Sequence, residues 1–255
     1  NQLNQLFKQG NSKKLLLLCS QLEKKYENSS YLNLFFGSYY YLKSDLIKSE
    51  GYLKTSLELD GSNLGSLNLQ GLVKTKLGKD TEAISCFNEI LKINSNDINA
   101  LNNLGNLYRK KGEHNDSLLL INKALEIDPE NINLLINKTS SLISAGMFQE
   151  AKELSYTLLK KNKNNSILLN NLGIINGYFN NYDDALDFFK QSNILEPQYI
   201  DPFINFIEVL TKTDRSNFAI EIIEEKITFF EEPHKIYNLL SKLYDSTSQL
   251  ERGLK

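Results

Sequence analysis

The apolar residues of this chain recur at the spacing of helices that each bury one side. In the clearest stretch Leu101, Leu104, Gly105 and Tyr108 stand at i, i+3, i+4 and i+7; beyond Gly112 a second series runs through Ser117, Ile121 and Ala124 to Pro129. Such stripes predict two amphipathic helices in succession, packed on each other. The pattern repeats every 34 residues without insertion or deletion, from starts at Ser30, Leu64, Ile98, Ile132, Ser166, Ile200 and His234. The expected organisation is a partial unit over 1–29, full units over 30–63, 64–97, 98–131, 132–165, 166–199 and 200–233, and an incomplete unit over 234–255. Within a unit the first helix should cover about positions 1 to 14 and the second about positions 15 to 28.

Three columns carry the architecture. Position 8 reads Gly37, Gly71, Gly105, Thr139, Gly173, Ile207 and Ser241, and position 20 reads Leu15, Ser49, Ala83, Ser117, Ala151, Ala185 and Ala219. Small residues belong where the two helices approach most closely, so Leu15 and Ile207 mark pairs expected to pack differently. Position 15 reads Gly10, Ser44, Gly78, Gly112, Gly146, Asn180, Asp214 and Ser248, residues suited to a sharp reversal just past a helix end. Leu104-Gly105, Tyr108, Ala124 and Pro129 at these offsets resemble the tetratricopeptide repeat, and the resemblance covers essentially the whole chain. It implies an all-α fold, a right-handed superhelical solenoid of antiparallel helix pairs. One pair cannot cover both of its faces, so stability comes from stacking on neighbours.

The resemblance also implies a function, the binding of an extended peptide or a partner helix in a concave groove lined by the first helices. Its groove positions 5, 6 and 9 hold Asn102, Asn103, Asn106, Asn137, Asn170, Asn171 and Asn205. A side-chain amide both donates and accepts, so a ladder of them can hydrogen-bond a peptide backbone without reading its side chains. The arrangement is similar to the repeats of O-linked N-acetylglucosamine transferase; an Asn inherited with the fold is the other reading. Arg109, Lys110, Tyr178 and Lys212 complete the expected groove, the cations serving either acidic ligand groups or a solvated rim. Tyr31, Leu34, Phe35 and Tyr41 form a candidate hydrophobic patch, which either meets a partner or is covered by residues 1–29. The clamp with which other members hold the acidic C-terminal tail of chaperones needs cations where this chain has Asn102, Ile167 and Asn171, so that partner is not expected.

Composition narrows the remaining classes. Four Pro and 13 Gly are too few for a loop-rich β chain, and 29 basic against 31 acidic residues lack the excess that a nucleic-acid partner calls for. No apolar run approaches the roughly 20 residues of a membrane helix. Cys19 and Cys86, the only cysteines, exclude a disulfide framework and fit a cytoplasmic setting. His114 and His234 lie far apart in register, and each glycine is accounted for by a packing or turn position, so no catalytic residue, metal site or cofactor is expected. Charge is uneven: residues 132–165 hold five Lys against two Glu, and 200–233 hold three basic against eight acidic residues. The expected function is a non-catalytic protein-interaction scaffold. The alternative is a substrate-recruiting or oligomerising arm of a larger enzyme of glycosyltransferase or sulfotransferase type. It is motivated by Met147 being the only methionine, by a last unit that stops inside its second helix, and by an opening Leu6-Phe7-Lys8-Gln9-Gly10 that resembles the first repeat of such fusions. The incomplete ends are candidate surfaces for self-association.

Overall fold

The computed structural model describes residues 11–23, 28–230 and 234–247, together with Gln5 and Gln9. Among the described residues there are fourteen α-helices, one short 3-10 turn and no strand. The chain divides into two compact units, Asn1–Leu134 and Leu135–Lys255. The first contains α1 (Ser12–Glu23), α2 (Ser30–Leu42), α3 (Leu46–Leu59), α4 (Leu64–Lys76), α5 (Asp80–Ile93), α6 (Ile98–Lys110) and α7 (His114–Ile127). The division falls in α8 (Ile132–Ser144). The second contains α9 (Phe148–Lys161), α10 (Ser166–Tyr178), α11 (Tyr182–Leu195), α12 (Ile200–Lys212), α13 (Ser216–Lys226), a 3-10 turn (Ile227–Phe229) and α14 (His234–Ser246).

Each first helix spans 13 residues and each second helix begins at position 17, two residues later than the periodicity alone suggests. The reason is the closing turn. Ser44, Gly78, Gly112, Gly146, Asn180 and Asp214 at position 15 all adopt positive φ, between 57° and 84°. In every case the following N–H donates back across the turn to the carbonyl of position 11, as from Glu113 to Tyr108 and from Asn181 to Asn176, both at 2.9 Å. This Schellman closure satisfies carbonyls that the helix end would leave bare. At the other end, Asn63, Asp97, Asn131 and Asn165 at position 34 accept from the backbone N–H three residues on, at 2.9 to 3.2 Å. These N-caps set where α4, α6, α8 and α10 start.

Packing within a pair is decided by position 8 against position 24. A Cβ on Gly37 would stand 2.8 Å from Leu53, and one on Gly71 would stand 2.6 Å from the ring of Phe87. Gly105 faces Ile121 in the same way, and Gly173 lies against Phe189. The 132–165 unit reverses the sizes, with Thr139 at position 8 and Ser155 at position 24, both completely buried. Position 20 is also fully buried, from Ser49, whose hydroxyl donates to the Gly37 carbonyl at 2.8 Å, to Ala83, Ser117, Ala151, Ala185 and Ala219. In the first unit apolar burial continues along the stack through Leu15, Cys19 and Phe36, then Leu53, Leu69 and Val73, then Phe87, Ile90 and Leu104. In the second it runs through Ile136, Leu158 and Leu172 to Phe189, Phe203 and Ile207. Each large side chain so removed from water contributes about 1.5–3 kcal/mol.

Among the described residues one core position is charged. Lys74 takes the place held in other units by Tyr40, Tyr108 and Tyr244, and is only 8% exposed. Its ammonium donates to Glu50 on α3 at 2.8 Å and to Glu82 on α5, and Lys79 shares Glu50 at 3.1 Å. Burial would lower the Lys74 pKa, but the bonds to Glu50 and Glu82 outweigh it and hold it above its ordinary value. The bond from Lys74 likewise holds Glu50 below the usual carboxylate value.

Candidate functional site

The resemblance implies ligand binding on the first-helix face, and the structure shows how its residues are engaged. In the first unit Tyr31 is exposed, but Phe35 is buried among Leu15, Cys19, Leu32 and Phe36, so it is not part of an exposed patch. The reason is α1, whose Leu15 and Cys19 are fully buried on that side. Leu34 and Tyr41 are partly buried against Leu53, Leu69 and Val73, and Lys76 places its ammonium 4.6 Å from the centre of the Tyr41 ring. Of the four residues, Tyr31 alone is exposed.

The asparagines are largely turned along the stack. Asn103 donates to Asn68 of the preceding repeat at 3.3 Å. In the second unit Asn205 donates to Asn170 at 2.9 Å, the same two columns in a later pair of repeats, and Asn170 approaches the Tyr199 hydroxyl at 3.5 Å. Asn171 is 4% exposed, and its amide nitrogen donates to Thr139 at 2.8 Å and Ser140 at 2.9 Å. Two hydroxyls of the preceding repeat thus take the N–H groups of Asn171. Asn137 is half-buried on α8. On α6, Asn102, Asn106 and Arg109 follow at i, i+4 and i+7, one polar stripe along one side of the helix, each half-buried. The Asn106 Oδ1 is shielded from solvent and accepts no hydrogen bond.

Position 13 also reaches backwards. Lys110 straddles the Asp80 carboxylate with both contacts at 3.1 Å. Tyr178, 58% exposed, stacks on Phe148 with ring centroids 3.7 Å apart and planes 7° from parallel. Both pairs join position 13 of one repeat to position 17 of the one before, by charge in one case and by aromatic contact in the other. Lys212 is exposed. Among the described residues no group of three His, Cys, Asp or Glu is placed to hold a metal ion, and no helix is long and apolar enough to cross a membrane. Cys86 is buried, which pushes its thiol pKa up.

The tetratricopeptide repeat family model matches residues 98–131, and a second model described as TPR repeat matches residues 71–112. Residues 71–131 of the chain match tetratricopeptide repeats. The matched 98–131 repeat begins at Ile98, which is also the first residue of α6. A tetratricopeptide repeat protein from Parabacteroides merdae is 21% identical, with TM-score 0.68 over 92% of this chain and 89% of that one. The APC/C hetero-tetramer Cut9-Hcn1 gives TM-score 0.82 at 19% identity, over 99% of this chain and 48% of that one. YrrB, described as a TPR protein with an unusual peptide-binding site, gives TM-score 0.53 at 17% identity, over 72% of this chain and 95% of that one. At these identities the likeness is one of fold, an all-α array of antiparallel helix pairs. No curated protein matches the chain in sequence.

Proposed function

We propose that this chain is a non-catalytic protein-interaction scaffold that holds an extended segment of a partner protein along the first-helix face of its repeats. The observation that carries the reading is the polar stripe of Asn102, Asn106 and Arg109, half-buried along one side of α6 and able to hydrogen-bond the backbone of a segment laid beside it. Lys110 is held beside this stripe by Asp80. Asn103, Asn171 and Asn205 at position 6 each tie their repeat to the one before. Proteins with this fold act as interaction scaffolds, and YrrB, which shares it, has a peptide-binding site.

The test is capture of partner proteins by the purified chain, quantified by mass spectrometry, against the Asn102→Ala/Asn106→Ala variant. A several-fold loss of specific partners with unchanged helical circular dichroism is expected. Equal capture by the two proteins would retire the first-helix face as the binding surface.

A further inference from the structure

A second surface, on the other helices of the second unit, arises from one departure in the repeat. Position 27 of the second helix is Ser56, Ile90, Ala124, Leu158 and Ser192 in five successive repeats, each at most 3% exposed. In the sixth it is Lys226, which is exposed. A lysine ammonium cannot be left unpaired in that buried slot, so the helix does not close over its neighbour there. α13 accordingly ends at Lys226 after 11 residues, where the other complete second helices run to 14, and the chain continues as the 3-10 turn Ile227–Phe229.

The shortened helix leaves a cleft of about 600 Å³ between α11 and α13. Its floor is Phe203 and Phe206 of α12, both buried, and its apolar walls are Phe218 and Ile222, with Phe218 52% exposed. An adjoining hollow of about 290 Å³ extends it past Phe203 to Phe229 and Phe230. Asn193 braces the floor: with its amide oriented to satisfy both ends, it donates to the Tyr199 carbonyl and accepts from the Phe203 N–H. The volume is that of a site taking large side chains rather than of a packing void. Charge is distributed unevenly around it. Lys190 is the only basic residue of α11 and Lys226 the only one of α13, helices otherwise carrying Asp183, Asp184, Asp187, Glu221, Glu224 and Glu225. Both cations line the cleft, against the single carboxylate of Glu225.

We propose that this cleft binds a linear peptide segment of a partner protein that presents a large apolar side chain beside a carboxylate. The side chain enters over Phe203 and Phe206, and the carboxylate meets Lys190 and Lys226. The acidic residues elsewhere on α11 and α13 repel the same peptide, which favours the part of these two helices where their only cations, Lys190 and Lys226, stand beside exposed apolar surface.

The experiment is an array of nonapeptides with a central Phe, Leu or Trp flanked by Asp, by Ser or by Lys, probed with the purified full chain. Asp-flanked peptides should bind best, with a preference over Lys-flanked ones of roughly five- to tenfold, as two partly exposed ion pairs provide. Lys190→Glu/Lys226→Glu should reverse that order, and Phe218→Ser should weaken all peptides; both changes lie on exposed residues. Asn106→Ala, on the first-helix face, should leave the preference unaltered, which separates this site from the one above. Binding without flank preference, or binding indifferent to Phe218→Ser, overturns the proposal. So does a concentration-dependent dimer in sedimentation that Phe218→Ser abolishes, since the occupant would then be a second copy.

Discussion

Gly71 lies directly beneath the ring of Phe87, close enough that a Cβ would stand 2.6 Å from Cζ and 2.7 Å from Cε1. Phe87 is completely buried and has no room to yield. Gly71→Ala should therefore lower stability by about 1–3 kcal/mol, despite the better helix propensity of alanine. Gly51 is the internal control: it is also helical, but nothing stands within 4 Å of a Cβ there. Gly51→Ala should raise stability by about 0.5–1 kcal/mol. Urea denaturation of the two variants checks both signs, and a stable Gly71→Ala would show that the ring is not the obstacle.

Asn171→Ala removes the donor that serves Thr139 and Ser140. The loss should be about 1–3 kcal/mol and should appear in thermal melting without any ligand present. A variant as stable as the parent would show that these two bonds do not hold the repeats together.

Acid should weaken the chain through Glu50. Its pKa is held below 4.5 by the bond from Lys74, with burial opposing and Lys79 adding to it. A folded-state pKa below the unfolded value means stability present above about pH 4.5 and lost as pH falls through the folded value. Lys74 titrates in the opposite sense. Its folded pKa lies above 10.5, so its share is complete below that pH and is lost as pH rises through the folded value. Glu50→Gln should cost roughly 1.5–3 kcal/mol at neutral pH and flatten the acid limb of the stability curve. Denaturation midpoints from pH 3 to 7 in both proteins decide it; parallel curves would remove Glu50 as the source of acid sensitivity.

Lys110 with Asp80 and Tyr178 with Phe148 fill the same two columns by different physics, and salt separates them. Lys110→Ala should cost at most about 1 kcal/mol, and less in 1 M salt. Tyr178→Ala should cost about 0.5–1.5 kcal/mol beyond lost area, and the same at any ionic strength. Melting curves at low and high salt provide the comparison, and equal salt response would contradict it.

The turns are the most legible feature of the sequence, because a residue that must adopt positive φ is restricted by its own backbone whatever surrounds it. Ser44, Asn180 and Asp214 can be read beside Gly78, Gly112 and Gly146 for that reason. The caps at Asn63, Asp97, Asn131 and Asn165 are equally local and lie in plain register, but in so asparagine-rich a chain a capping residue does not stand out from its surroundings. The direction of the asparagines is not legible. Periodicity places Asn103 and Asn205 on the first-helix face, but whether an amide points along the stack or away from it depends on what the neighbouring repeat offers, here Asn68 and Asn170. Phe35 escapes the pattern in the same way, since its exposure is set by α1. Lys226 is visible beforehand as the one charged residue in an otherwise uncharged column.

The reversal of sizes at Thr139 and Ser155 bears on how such an array can diversify. Positions 8 and 24 lie inside one repeat, so duplicating or exchanging a whole repeat inherits both partners together. A genetic crossover in the turn between the helices would part them and set a phenylalanine such as Phe87 over a threonine. The Asn103–Asn68 and Asn205–Asn170 ties run across repeat borders and are inherited intact only when adjacent repeats move as a pair. Two tiers of linkage follow, a strict one within each repeat and a looser one between neighbours.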